Sequence, residues 1–148
     1  MARLTARDIM HPRASVPAKE NGQELIKKLT GSYPALPVVN DNLEVVGIVS
    51  EYDIIDAIKE KRTIHEFSAE SIMSCGHAAH EQEVCRTPVT VQPNAAVSEV
   101  IDLMYTNDIS VVPVVEGKKL IGIIGRKNII NAMAEKGFWP EEEFQKRV

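Results

Sequence analysis

A basic surplus is missing from this chain: 17 Lys and Arg stand against 21 Asp and Glu, a formal net charge of −4. That balance argues against a general nucleic-acid binder. No apolar run exceeds a handful of residues, so no stretch is long enough to span a membrane. Met1-Ala2-Arg3-Leu4-Thr5 lacks the apolar core of a secretory signal. A cytoplasmic address follows as the default, with neither membrane nor nucleic acid as partner. There the two cysteines are expected to be thiols or ligands rather than a disulfide. A Ser-His-Asp set, the Gly-Lys-Ser/Thr of a P-loop and the G-x-G-x-x-G of a dinucleotide site are absent as well. What is there is ordinary for a globular protein, 44% hydrophobic and 26% charged. At 148 residues it can bury one good core, or two small ones that share an interface.

The chain is organised around a passage that occurs twice. Leu43 to Ser50 is short, apolar and β-branched, which predicts a buried strand. Glu51 to Arg62 switches to a helical period, with Ile54, Ile55 and Ile58 on one face. The hinge is Gly47-x-x-Ser50-x-x-Asp53. The passage returns 75 residues on, as Leu120 to Gly125 and then Arg126 to Lys136, with Gly122 for Gly47 and Asn128 for Asp53.

The rest of each half follows suit. Thr5 to Met10 predicts a capped helical turn, with Thr5 and Asp8 as a capping box, and Ser68 to Met73 echoes it. Val16 and Val91 mark short extended pieces. Asn21 to Leu29 predicts a helix, and Asn94 is expected to cap its counterpart, which carries Val97, Val100, Ile101 and Met104. Leu36-Pro37-Val38-Val39 and Val112-Pro113-Val114-Val115 predict strands, with proline suggesting an edge or a strand start. Asn40-Asp41-Asn42 and Glu116-Gly117-Lys118-Lys119 supply hairpin turns. The expected architecture is α/β, two tandem βαββα repeats, 6–62 and 68–136, packed about a pseudo-twofold axis, with a tail at 137–148. Neither half alone has residues enough for a dependable core.

One segment breaks the symmetry. Ile9-Met10 and Ile72-Met73 are 63 residues apart, whereas Val16 and Val91 are 75 apart. The second half therefore carries an expected insertion at 74–87 that holds Cys75, His77, His80 and Cys85. These side chains suit zinc or another thiophilic metal, but C-x-H-x2-H-x4-C fits no standard zinc pattern. A polar surface loop is the plainer reading, with a metal or redox site and a disulfide as alternatives. His11 and His65 read as isolated surface residues. Phe138 and Trp139, beyond the last helix, read as a packed tail or a dimer contact.

Asp8-Ile9-Met10, Leu36 to Val39 and Val46 to Ile54 resemble one CBS domain. Ser71-Ile72-Met73, Val112 to Val115 and Ile121 to Ile129 resemble a second. Together they are similar to the tandem Bateman module, over roughly residues 6 to 136. The resemblance implies clefts for an adenosine compound: AMP, ADP, ATP, NAD or S-adenosylmethionine. It puts Ser50 toward the phosphate or ribose and Asp53 on the ribose hydroxyls, a fitting role because a carboxylate accepts from two neighbouring hydroxyls. It puts adenine near Val16 and near Ala35, Leu36 and Pro37. The second cleft would use Thr90, Val111, Val112, Pro113 and Asn128. There Gly125 departs from the family's Ser or Thr, while Arg126 and Lys127 bring positive charge to where phosphate would lie. No part of the resembling stretch is catalytic, so the expectation is a binding and sensing module, self-associated as a homodimer. The alternatives are a metal- or redox-responsive regulator and a purely structural dimerisation module. Ser50 with Asp53 also has a reading that needs no ligand, since it is a capping box.

Overall fold

The computed structural model describes residues 3–31, 33–60, 62–76, 87–141 and 144. Its first half runs α1 (Ala6–Ile9), β1 (His11–Pro12), β2 (Val16–Pro17), α2 (Gly22–Lys28), β3 (Ala35–Val39), β4 (Val45–Ser50) and α3 (Glu51–Lys59). The second runs α4 (Ala69–Ile72), α5 (Val97–Asn107), β5 (Val111–Glu116), β6 (Lys119–Gly125) and α6 (Arg126–Lys136). The local rules account for most boundaries. Asn21 caps α2, its side chain accepting the Glu24 N–H at 3.0 Å, and Leu25 and Leu29 turn inward from that helix. Asn40 Oδ1 accepts the N–H groups of Asn42 and Glu44 at 2.9 and 3.0 Å, which closes the first hairpin. Gly117, at φ 65°, closes the second. Gly137, at φ 62°, ends α6.

The strands form two three-stranded sheets, β2-β3-β4 and β1-β6-β5. Two cores are local to the halves, one around Val16, Leu25, Val38 and Val49, the other around Val97, Val100, Val112 and Ile124. A third is shared: Ala35, Val39, Val45 and Ile48 pack with Val111, Val115, Leu120 and Ile123. The halves are thus joined by the backs of their hairpins, as the pseudo-twofold expectation requires. Two backbone bonds cross the same seam, Val45 N–H to Lys118 O and Leu120 N–H to Leu43 O, both 3.0 Å.

The leading turn of each half is exchanged. β1 adds to the second half's sheet, His11 facing Ile123. Ser74 pairs in the same way with Ile48 of the first half, by two bonds of 2.8 Å. Met10 is seated against Gly122, where a Cβ would lie 2.5 Å from its sulfur, and Met73 against Gly47 at the same 2.5 Å. Both glycines are small because a methionine of the opposite half occupies their side-chain space. Ser74 is therefore the counterpart of His11, and the extra residues of the second half begin after it rather than at position 74.

Two further expectations are corrected. Pro37 lies in the middle strand of its sheet, not at an edge; Pro113 lies in β5, an edge strand of β1-β6-β5, which meets Val91 beyond it through an isolated bridge only. Pro113 O accepts the Val91 N–H at 3.0 Å, so its absent N–H faces the same flank, past the end of that short parallel pairing. Asn94 does not cap α5: the N-cap is Ala96. The exchanged N-terminal segment takes over there, with Ala6 N–H on Ala95 O at 2.8 Å and Val97 N–H on Leu4 O at 3.4 Å. At α1, Asp8 Oδ2 takes both the Thr5 N–H at 2.8 Å and its hydroxyl at 3.1 Å. The Asp8 N–H also reaches the Thr5 carbonyl at 3.0 Å, and the turn has the capping-box arrangement expected of Thr5 and Asp8.

Candidate functional site

β4 runs into α3 without a loop, because Ser50 is still extended at φ −124° and ψ 169° while Glu51 is already helical. The Asp53 N–H donates to Ser50 Oγ at 3.2 Å. Asp53 Oδ2 in return accepts the Ser50 N–H at 2.8 Å and the Ser50 hydroxyl at 3.0 Å. The capping reading is therefore correct as local structure. The Glu51 N–H, next in line, goes to Pro34 O at 3.0 Å. Among the described residues Asp53 Oδ1 has no hydrogen-bond partner and no cation pairs with the carboxylate. Burial pushes its pKa up; the backbone and side-chain bonds from Ser50 oppose that, and the nearby Asp56 charge adds to it.

The register brings Ala35 opposite Ser50 and Leu36 opposite Val49, so the backbone at the start of β3 borders the Ser50–Asp53 turn. Val16 lies farther along, opposite Val38. The Val16 and Leu36 side chains are core residues at 0% and 6% exposure; what they can offer a ligand is backbone.

The second half repeats this frame with other groups. Gly125 is extended at φ −100° and ψ 171°, and its N–H donates to Asn128 Oδ1 at 2.5 Å. No hydroxyl is present, and Asn128 is buried. Val111 faces Gly125, and Val112 and Pro113 face Ile124 and Ile123. The Val111 and Val112 side chains are again core. Arg126 and Lys127 are exposed at the start of α6. Thr90 is half-buried and borders a depression of about 360 Å³ with Gln92, Asn94 and Glu99; the Gly125–Asn128 turn does not line that depression.

Sequence reasoning passed over Tyr33. Its ring lies against Gly125, where a Cβ would come within 3.3 Å of Cε1. His11 meets it edge-on, centroids 6.4 Å apart. No local pattern could flag this contact, which joins residues from opposite halves of the chain.

Cys75 is disulfide-bonded, so its sulfur is neither the thiol nor the metal ligand expected. His77, His80 and Cys85 lie outside the described residues. Among the described residues no group of three or more His, Cys, Asp or Glu is placed to hold a metal ion, and no helix is long and apolar enough to cross a membrane. His11 and His65 are both exposed, as is about half of Trp139, while Phe138 joins the second core.

Two α/β half-units, exchanged at their leading turns and each presenting a strand-to-helix turn beside a hairpin, define a tandem-repeat module. The CBS domain model matches residues 6–60 and 82–135, and the chain belongs to that family, as a tandem pair. Over 101 residues, 67% of this chain, it is 32% identical to the gamma-3 subunit of 5'-AMP-activated protein kinase from Homo sapiens, covering 20% of that protein. The chain spans about a quarter or less of the first curated relatives it matches. Among solved structures it is similar to CBSX2 in complex with AMP, with a TM-score of 0.73 and 23% identity over 90% of this chain and 98% of that one. It is equally similar to Hypoxic Response Protein I with two coordinated zinc ions, with a TM-score of 0.73 and 22% identity over 86% and 98%.

Proposed function

We propose that this CBS pair is a regulatory module, without catalysis of its own, that binds an adenosine-containing nucleotide at the Ser50–Asp53 turn. The observation that carries the reading is an internal control. Asn128 makes the same reach back to the N-cap N–H without a charge, and Gly125 starts α6 without a hydroxyl. Helix capping uses the hydroxyl of Ser50 but does not require the charge of Asp53. A carboxylate largely removed from water, with no cation beside it among the described residues, weakens the fold. It becomes useful once a pair of ribose hydroxyls donates to its open Oδ1. The AMP held by CBSX2 supports the ligand class.

A ligand acts here only through its differential affinity for two arrangements of the halves. The shared core and the two methionine–glycine contacts are the surfaces such a change would rework. Self-association fits the exposed apolar face of α3, where Tyr52, Ile55 and Ile58 are 52%, 63% and 50% exposed, with Ile130 of α6 at 55%. A metal-sensing reading is the weaker one, because Cys75 is already bonded through its sulfur.

Calorimetric titration with AMP, ADP, ATP, NAD and S-adenosylmethionine tests the proposal. A ligand at 100 times its dissociation constant should add about 2.7 kcal/mol to stability, and Asp53→Ala should sharply reduce the gain. Failure of all five to bind would overturn the reading in favour of a structural module. Light scattering that returned the monomer mass of 16.4 kDa at micromolar concentration would overturn the homodimer.

A further inference from the structure

The two strand-to-helix turns differ in a way that one residue of the opposite half accounts for. At Gly125 the space a side chain would occupy is bounded by the ring of Tyr33, with Cε1 and Cδ1 at 3.3 and 3.4 Å from an ideal Cβ. That is slightly tighter than ordinary van der Waals contact, so a serine there needs the ring to give by a few tenths of an ångström. Tyr33 is not free to swing away without cost. It packs against both the first core and the shared core, His11 closes on its edge, and the adjoining Pro34 carbonyl is held by the Glu51 N–H. In the repeat, Tyr33 stands three residues before Leu36, as Ile109 stands three before Val112. By position in the repeat Ile109 therefore corresponds to Tyr33, as Ser50 corresponds to Gly125.

We infer that Tyr33, a residue of the first half, is the specificity-determining residue of the second cleft, its ring standing where a serine hydroxyl would otherwise meet the ligand. This rests on the adenosine reading above. With that position closed and Asn128 Oδ1 engaged by the Gly125 N–H, the second cleft offers a sugar little beyond the Asn128 amide. Its remaining handle is the exposed pair Arg126 and Lys127, which answers to phosphate. The second cleft therefore selects a nucleotide by its phosphates and discriminates against the bare nucleoside, whereas the first accepts both.

The test is to give the second cleft the first cleft's residues. Full-length wild type, Gly125→Ser, Tyr33→Ile and the double variant Tyr33→Ile/Gly125→Ser are titrated with adenosine and with AMP, with a thermal melt of each. The expected result is one adenosine site in wild type and a second in the double variant, strengthened by about tenfold, the worth of one good hydrogen bond. Gly125→Ser alone should melt lower and gain no adenosine affinity, because its side chain meets the ring. If Gly125→Ser alone gains as much as the double variant, Tyr33 is not the determinant. If the first site binds adenosine normally and the folded double variant gains no second site, the Tyr33 inference falls while the adenosine reading stands. If neither adenosine nor AMP binds wild type, the Tyr33 inference falls, and the adenosine reading falls with it only if ADP, ATP, NAD and S-adenosylmethionine fail as well.

Discussion

The two strand-to-helix turns share a backbone and differ in chemistry, and the difference separates what folding needs from what it does not. Ser50 and Asp53 exchange three hydrogen bonds, two between side chain and backbone and one between the side chains. Gly125 and Asn128 start an equally regular helix with one such bond. The common part, an acceptor at the third helical position reaching back to the N-cap N–H, is the structural part. The surplus in the first turn is a hydroxyl that caps α3 and a negative charge that burial disfavours. The surplus in the second turn is steric: a ring from the other half where the first turn has a hydroxyl.

The sharpest way to disturb this comparison is to break the contacts that hold the two halves in register. Gly122→Val should cost about 3 kcal/mol and Gly47→Val about 2 in urea unfolding, as overpacking against a fixed neighbour does. The order follows from the backbone: a Cβ at Gly122 would lie 2.8 Å from the His11 carbonyl, against 3.1 Å from the Ser74 carbonyl at Gly47. Equal or reversed costs would show that the two exchanged turns are not held alike.

Next comes ligand affinity. Asp53→Ala should remove the tight nucleotide phase, a loss of about 1.5–3 kcal/mol or roughly tenfold to a hundredfold. Asn128→Ala should then abolish the weaker phase. Titration calorimetry that lost the tight phase with Asn128→Ala instead would reverse the ranking of the clefts.

A smaller effect tests the charge itself. Asn128→Asp places a carboxylate in a more enclosed site and should destabilise the ligand-free protein by about 1 kcal/mol at neutral pH. Asp53→Asn should raise the ligand-free melting temperature slightly while weakening nucleotide binding. The pH dependence has a definite sign. Because burial raises the Asp53 pKa, the native state holds that proton more tightly than the unfolded chain. The contribution of this group to stability is therefore present at acid pH and lost as pH rises through the raised value. The advantage of Asp53→Asn should accordingly shrink on acidification. An advantage that grew on acidification would mean that the charged carboxylate stabilises the empty protein.

The smallest effect on folding belongs to the outer face. Ile55→Lys and Ile130→Lys should leave the melting temperature of the monomer nearly unchanged, since both side chains are more than half exposed. Ile55→Lys, flanked by Tyr52 and Ile58, should weaken self-association more in sedimentation analysis. A dimer indifferent to both changes would have to use another face.

The order of elements, both hairpins, the α2 cap and the repeat were legible in the chain because each rests on neighbours in sequence: apolar spacing, turn residues, a cap three residues from its partner. Ser50 and Asp53 were legible for the same reason. Other readings failed where a distant segment supplied what local chemistry was expected to supply. Asn94 lost the cap of α5 to the Leu4 carbonyl, and the edge position assigned to Pro37 gave way to the short parallel partner β2.

By itself, then, the sequence determined that two like units exist, what each is made of and which turn carries hydroxyl and carboxylate, since periodicity and turn chemistry act over a few residues. Only the tertiary structure decided that each leading turn belongs in space to the other unit, that Met10 and Met73 are the reason for Gly122 and Gly47, and that Tyr33 stands against Gly125. Those contacts join residues from opposite halves of the chain. Their strength comes from close packing, and packing depends on shape brought together in space, which spacing along the chain does not encode.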